Sequence, residues 1–109
     1  MTLPERMEAL FKWRWPKPII HNNEWGRQRY AFERLLEIGT PEALFAAGLM
    51  CVPEGWIITF LSELGLAGGC ACHLGNPGTG AESNSDNGQR TFVEALADAL
   101  WQIKEMEQC

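Results

Sequence analysis

Trp56-Ile57-Ile58-Thr59-Phe60-Leu61, set behind the turn Val52-Pro53-Glu54-Gly55, is a run of aromatic and β-branched residues and the strongest strand signal in the chain. A single strand leaves its backbone donors and acceptors unpaired, so partners have to lie nearby. Residues 66–74 offer a second strand after a tight Glu63-Leu64-Gly65 connection. Gly68-Gly69 within it predicts a bulge or a close approach of another backbone. Residues 81–85 offer a third, short strand inside a polar, glycine-rich loop that runs from Gly75 to Gln89. Loops of that length are mobile or functional.

Helical signals flank this strand region. Thr2 followed by Pro4 and Glu5 is a capping box, and Leu3, Met7, Leu10 and Phe11 recur at helical spacing, which predicts a helix over residues 3–13. Pro16 pushes Trp15 out of the α region. Trp15-Pro16-Lys17-Pro18 is therefore extended, and Ile19-Ile20 continue it as a short strand or an arm. Asn22-Asn23 opens a second helix over residues 24–38, closed by Gly39. Thr40-Pro41-Glu42 opens a short third one ending near Gly48. The most secure helix spans residues 91–106, with Thr91 and Glu94 as a capping box and Phe92, Leu96, Ala99, Leu100, Ile103 and Met106 along one face. Trp101 falls on its flank, available to a second surface.

These elements predict an α+β fold: a small antiparallel sheet of two or three strands centred on residues 56–61, covered by helices 24–38 and 91–106 in a sandwich-like arrangement. Such a sheet has two faces to cover, by helices on both sides or by a dimer closing the second face. The 109 residues are read as one domain, with residues 1–23 forming a helix plus an extended aromatic and basic arm.

No apolar run approaches the 18 residues or so of a membrane span; the longest covers residues 43–52. The first ten residues are too charged for the apolar region of a signal peptide. The expectation is a cytoplasmic protein with no membrane contact, whose four cysteines are reduced thiols.

Charge and aromatic content are polarised along the chain. Residues 1–34 carry seven cations against Glu5, Glu8, Glu24 and Glu33, a net +3; residues 35–109 carry Arg90 and Lys104 against ten acids, a net −8. Overall acidity opposes non-specific nucleic-acid binding at long range. Phe11, Trp13, Trp15, Trp25, Tyr30 and Phe32 all lie in the basic part. On the second helix Trp25, Phe32, Leu35 and Leu36 share an arc of about 100°, the width of a core-facing stripe. Arg27, Tyr30 and Arg34 share the opposite side. Trp and Arg are the residues most often found as binding anchors. The candidate partner-binding residues are therefore Trp13, Arg14, Trp15, Lys17, Arg27, Tyr30 and Arg34. Alternating aromatics and cations suit packing on the chain's own core or on a second copy, a protein interface, or the stacking of single-stranded bases.

Several chemical motifs fail on inspection. Gly75-Asn76-Pro77-Gly78-Thr79-Gly80 matches the first six positions of a phosphate-binding loop, but Ala81 and Glu82 stand where a lysine and a hydroxyl must follow. The segment is read as a turn. Cys70-Ala71-Cys72-His73 is the best metal candidate, with Cys51 and Cys109 as further thiols. Within a strand, however, its two thiols face one way and the imidazole the other, and no second knuckle exists. Buried structural cysteines with an exposed His73 are expected instead. Neither His21 nor His73 is tied to a thiol by the sequence, and Ser62, Ser83 and Ser85 lack a nucleophile-elbow setting. No catalytic residue, metal ligand or cofactor is assigned.

Gly55-Trp56-Ile57-Ile58-Thr59-Phe60, a glycine-broken second strand, the polar Ala81-Glu82-Ser83 and the alanine-rich helix Thr91-Phe92-Val93-Glu94-Ala95-Leu96-Ala97-Asp98-Ala99-Leu100 form one series. Over residues 41–104 it resembles the small phage-encoded domains called the phage ABA sandwich. That pattern contains neither the Trp-Arg-Trp-Pro arm nor the Cys-Ala-Cys-His run, and the family has no established activity. The resemblance implies an accessory protein of a phage or other mobile element. The sequence thus points to a non-enzymatic protein, a homodimer or the binder of a protein partner through its aromatic and basic N-terminal surface. A single-stranded nucleic-acid binder using the same surface is the alternative, and a zinc- or thiol-dependent enzyme the lesser one.

Overall fold

A computed structural model of the chain describes residues 2–20, 22–63, 69–85 and 89–108. Four helices and three strands follow one another as α1 (Leu3–Arg14), α2 (Asn23–Ile38), α3 (Pro41–Leu49), β1 (Ile57–Glu63), β2 (Cys70–Gly75), β3 (Glu82–Asn84) and α4 (Phe92–Gln108). The fold is α+β, as the sequence predicts.

Each helix begins where a side chain satisfies a backbone N–H that the helix cannot. Thr2 Oγ1 accepts from Glu5 N at 3.3 Å, and Glu5 Oε1 accepts in return from Thr2 N at 3.3 Å. Asn22 Oδ1 accepts from Trp25 N at 3.1 Å, Thr40 Oγ1 from Ala43 N at 3.2 Å, and Thr91 Oγ1 from Glu94 N at 3.1 Å. Gly39 ends α2 in the left-handed region, with φ of 69°, a conformation open to glycine at no steric cost.

The sheet is antiparallel throughout, in the order β1-β2-β3. Between β1 and β2 the register shifts at Ile58/Phe60, leaving Thr59 as the extra residue of a bulge. β2 begins at Cys70; the glycine-broken start expected for it, and the Glu63-Leu64-Gly65 connection, lie mostly at positions 64–68, outside the described residues. The Gly75–Gly80 segment is a tight turn held by its own backbone. Asn76 N donates to Ala81 O at 2.9 Å and Asn76 O accepts from Gly80 N at 2.8 Å.

Cys70, Cys72 and Leu74 alternate along β2 toward α4, and with Leu96, Leu100, Ile103 and the alanines of that helix they make the centre of the core. α1 and α3 pack on other sides of α4. Here one expectation needs correcting. The helix over residues 24–38 does not cover the sheet; it packs on α3 and stacks its buried Phe32 on Phe11 of α1, with ring centroids 4.5 Å apart. The reason is connectivity. Gly39 and Thr40 alone join α2 to α3, so the two helices must be neighbours, and it is α3 that reaches α4. Among the described residues one helix, α4, covers the sheet, on one face. On the other, Phe60 and His73 meet with ring centroids 4.8 Å apart.

The fit of α3 against α4 is close: a Cβ placed on buried Gly48 would lie 2.8 Å from Leu96 Cδ2. Gly48→Ala is expected to destabilise the fold by about 1–3 kcal/mol through overpacking. Leu96→Ala should cost about 2–5 kcal/mol through the cavity it leaves. Urea denaturation of the double variant should show clear non-additivity, because the truncated Leu96 frees the space that the new methyl needs.

Candidate functional site

The seven residues singled out by the sequence separate into two groups. Trp13, Arg14 and Trp15 are half-buried and belong to a clamp that fixes the arm. Trp13 and Trp15 pack against the core cluster. Trp15 Nε1 donates to Met50 O at 2.9 Å, and Arg14 Nε donates to Val52 O at 3.2 Å. Both acceptors follow the last turn of α3, where helix carbonyls lack partners and a cation is favoured. The Arg14 guanidinium lies 4.5 Å from the Trp15 ring centroid, a cation–π contact. Trp15 O in turn accepts from Trp25 Nε1 at 2.9 Å. Trp25, expected in the core, is half-buried and serves as this tie.

Lys17, Arg27, Tyr30 and Arg34 stay exposed, Tyr30 by 68%. Arg27 and Tyr30, with Asn23 and Gly26, line a shallow concavity on the outer face of α2. Arg34 follows one turn later on the same side. Their nearest carboxylates are on the same helix: Glu24 is 3.8 Å from Arg27, and Glu37 is 3.0 Å from Arg34. Ion pairs this exposed add little stability and leave the guanidinium groups open to other acceptors. Arg29 behaves differently. It bridges α2 to α1 through Glu8 at 2.6 Å and also holds Glu33 at 2.7 Å. Burial pulls its pKa down, but the hydrogen bonds to those two carboxylates outweigh that and leave it above its ordinary value. It is a structural tie.

Two exposed apolar features lie outside the seven candidate residues. Ile19 and Ile20 are exposed by 103% and 81%, immediately ahead of the α2 cap. Their hydrophobicity was legible, but nothing in the sequence distinguishes an arm residue that docks from one that does not. The second is the edge strand β1, where Ile57, Phe60 and Leu61 are exposed by 53%, 41% and 38%.

The motif residues resolve into structural parts. Cys51, Cys70 and Cys72 are buried free thiols, while His73 is half-buried against Phe60. Burial pushes the Cys51 thiol up to about 12 and the Cys72 thiol up to about 11. Such thiols are the opposite of activated nucleophiles. Among the described residues no group of three or more His, Cys, Asp and Glu side chains is placed to hold a metal ion; His21 and Cys109 lie outside them. Ser83 Oγ donates to Ala99 O at 2.6 Å, and Ser85 Oγ accepts from Cys72 N at 2.9 Å, so each buried hydroxyl joins the sheet into the core. Among the described residues no helix is long and apolar enough to cross a membrane.

Two measurements check this geometry. Trp15→Phe, which deletes the donor to Met50 O, should lower unfolding stability by about 1 kcal/mol in urea. Cys51 and Cys72 should resist alkylation at mild alkaline pH in the native protein and react promptly once it is unfolded. Their folded pKa values stand above the ordinary 9.0. The stabilisation they contribute is thus full below pH 9.0 and is lost as pH rises from there toward 11 and 12, because only the unfolded thiols ionise in that window. No protein-family model matches the chain, and neither the curated proteins nor the solved structures include one significantly similar to it.

Proposed function

We propose that this is a non-enzymatic interaction protein that binds a protein partner through the outer face of α2 and the arm leading into it. The observation that carries this reading is the full exposure of Ile19 and Ile20 on an arm whose other end is clamped by Trp15. An apolar pair held out in water ahead of a helix that exposes Arg27, Tyr30 and Arg34 supplies both apolar and cationic contacts. That combination suits an acidic protein face with an apolar centre. The acidic part of a second copy, residues 35–109 with a net −8 from ten acids against Arg90 and Lys104, is one such face. Trp13, Arg14 and Trp15 act in this scheme as the residues that position the arm. Lys17, Arg27, Tyr30 and Arg34 make the contacts. An origin as an accessory protein of a phage or mobile element rests on the resemblance of residues 41–104 alone.

The same side chains were the basis for single-strand nucleic-acid binding. Stacking requires open aromatic faces; Trp13 and Trp15 are half-buried, and Tyr30 is the exposed ring among the candidate residues. A protein partner is therefore favoured. In a test with arrayed acidic peptides, the Arg27→Glu/Tyr30→Ala/Arg34→Glu variant should bind about tenfold or more weakly than wild type, with an unchanged circular dichroism spectrum. Equal binding by the two proteins would overturn the reading. So would a clear preference for a single-stranded oligonucleotide with steep salt dependence.

A further inference from the structure

We infer that α2 is a latched strap: it opens and unwinds as one unit while the rest of the fold stays intact, and Arg29 is the latch that holds it closed. The ground for this is how little of α2 the core holds. Of its sixteen residues only Phe32 is fully enclosed; five are half-buried and ten are exposed. By contrast, α4 buries seven residues from Val93 to Ile103. α2 packs mainly on α3, and side chains tie it to α1. A segment with so few buried apolar contacts lies at the low end of local stability.

Both ends of α2 permit a separate motion. On the C-terminal side Gly39, at φ of 69°, and Thr40 are exposed and form the whole connection to α3. On the N-terminal side Pro16, Lys17, Ile19 and Ile20 are exposed. The clamp ahead of them is anchored elsewhere, Trp15 on Met50 O and Arg14 on Val52 O. α2 can therefore leave without pulling the clamp away from the core. A helix of this length is marginal in water without tertiary support, and Gly26 weakens it further. Undocking and unwinding are thus one event.

Opening has to break the hydrogen bond from Trp25 to Trp15 O, the stack of Phe32 on Phe11, and the ion pair of Arg29 with Glu8. Arg29 takes part in the last two. Its guanidinium donates to Glu8 of α1 at 2.6 Å and to Glu33 at 2.7 Å. It also lies 5.1 Å from the Phe11 ring centroid and 5.8 Å from that of Phe32. One cation thus sits over the aromatic stack and ties it to the neighbouring helix, with its side chain only 23% exposed. Hydrogen bonds between charged partners are the strong ones. The pairs of Arg27 and Arg34 lie open to water and add little. Opening uncovers Phe11, fully buried in the closed form, and dismantles the face that carries Arg27, Tyr30 and Arg34. The latch thereby governs whether that face exists. The inference does not rest on what the face binds, because its test needs no partner.

Hydrogen exchange of the free chain, read amide by amide over a range of urea concentrations, is that test. Amides of residues 27–38 should exchange about tenfold or more faster than those of residues 95–107, with a weaker dependence on urea, because the opening exposes only part of the chain. Arg29→Gln should speed exchange at residues 27–38 by about a further tenfold and leave residues 95–107 within about twofold of wild type. Arg34→Gln, which loses an exposed pair, should change neither. Exchange of the two helices at one rate and with one urea dependence would overturn the strap. An Arg29→Gln effect that is equal in both helices, or absent from both, would overturn the latch.

Discussion

The burial of α4 on several sides at once is the constraint on which the remaining structure depends. Ala95, Leu96, Ala99, Leu100 and Ile103 are fully enclosed, with the sheet on one side and α1 and α3 on others. A helix enclosed in this way must let its neighbours approach, and the alanines do so. Gly48 of α3 meets Leu96 with no room for a methyl group, and Ser83 of β3 comes near enough to donate to the Ala99 carbonyl. The buried thiols of β2 complete the same layer. Small residues here are an instrument of close packing, and packing at this density gives a core its single arrangement.

The arm depends on that arrangement at one remove. Just past the end of α3 Cys51 is buried in the core, and the carbonyls of Met50 and Val52 on either side of it are what Trp15 and Arg14 grasp. Trp25 then grips the Trp15 carbonyl and brings in α2. The tryptophans and arginine that look from the sequence like a binding strip are thus occupied in joining three helices. What they leave outside is determined by where the clamp stops. Beyond Pro16, Ile19 and Ile20 stand in solvent.

The molecule therefore presents two surfaces of different character. The α2 face is cationic and aromatic, suited to contacts that weaken with salt. β1 carries one ionisable residue, Glu63, and exposes Ile57, Phe60 and Leu61, beside a groove whose lining mixes apolar side chains with Glu42 and Arg90.

Much of the local structure was legible because its causes are local. Thr2, Asn22, Thr40 and Thr91 announce the helix starts by the hydrogen bonds they accept, Gly39 announces a helix end, and Ile57 through Leu61 announce a strand. The turn at Gly75–Gly80 was separable from a phosphate loop because Ala81 and Glu82 stand at the decisive positions. The sequence by itself determined the helices and their starts, the strand at Ile57 to Leu61, the α+β class and the division of charge, since each follows from side chains within a few residues of one another. Only the tertiary structure decided that α2 lies on α3 instead of the sheet, and that Trp15 is spent on Met50 while Tyr30 stays free of the core. Those outcomes depend on which surfaces meet across 20 to 40 residues of chain, and pattern within a segment carries no record of that competition.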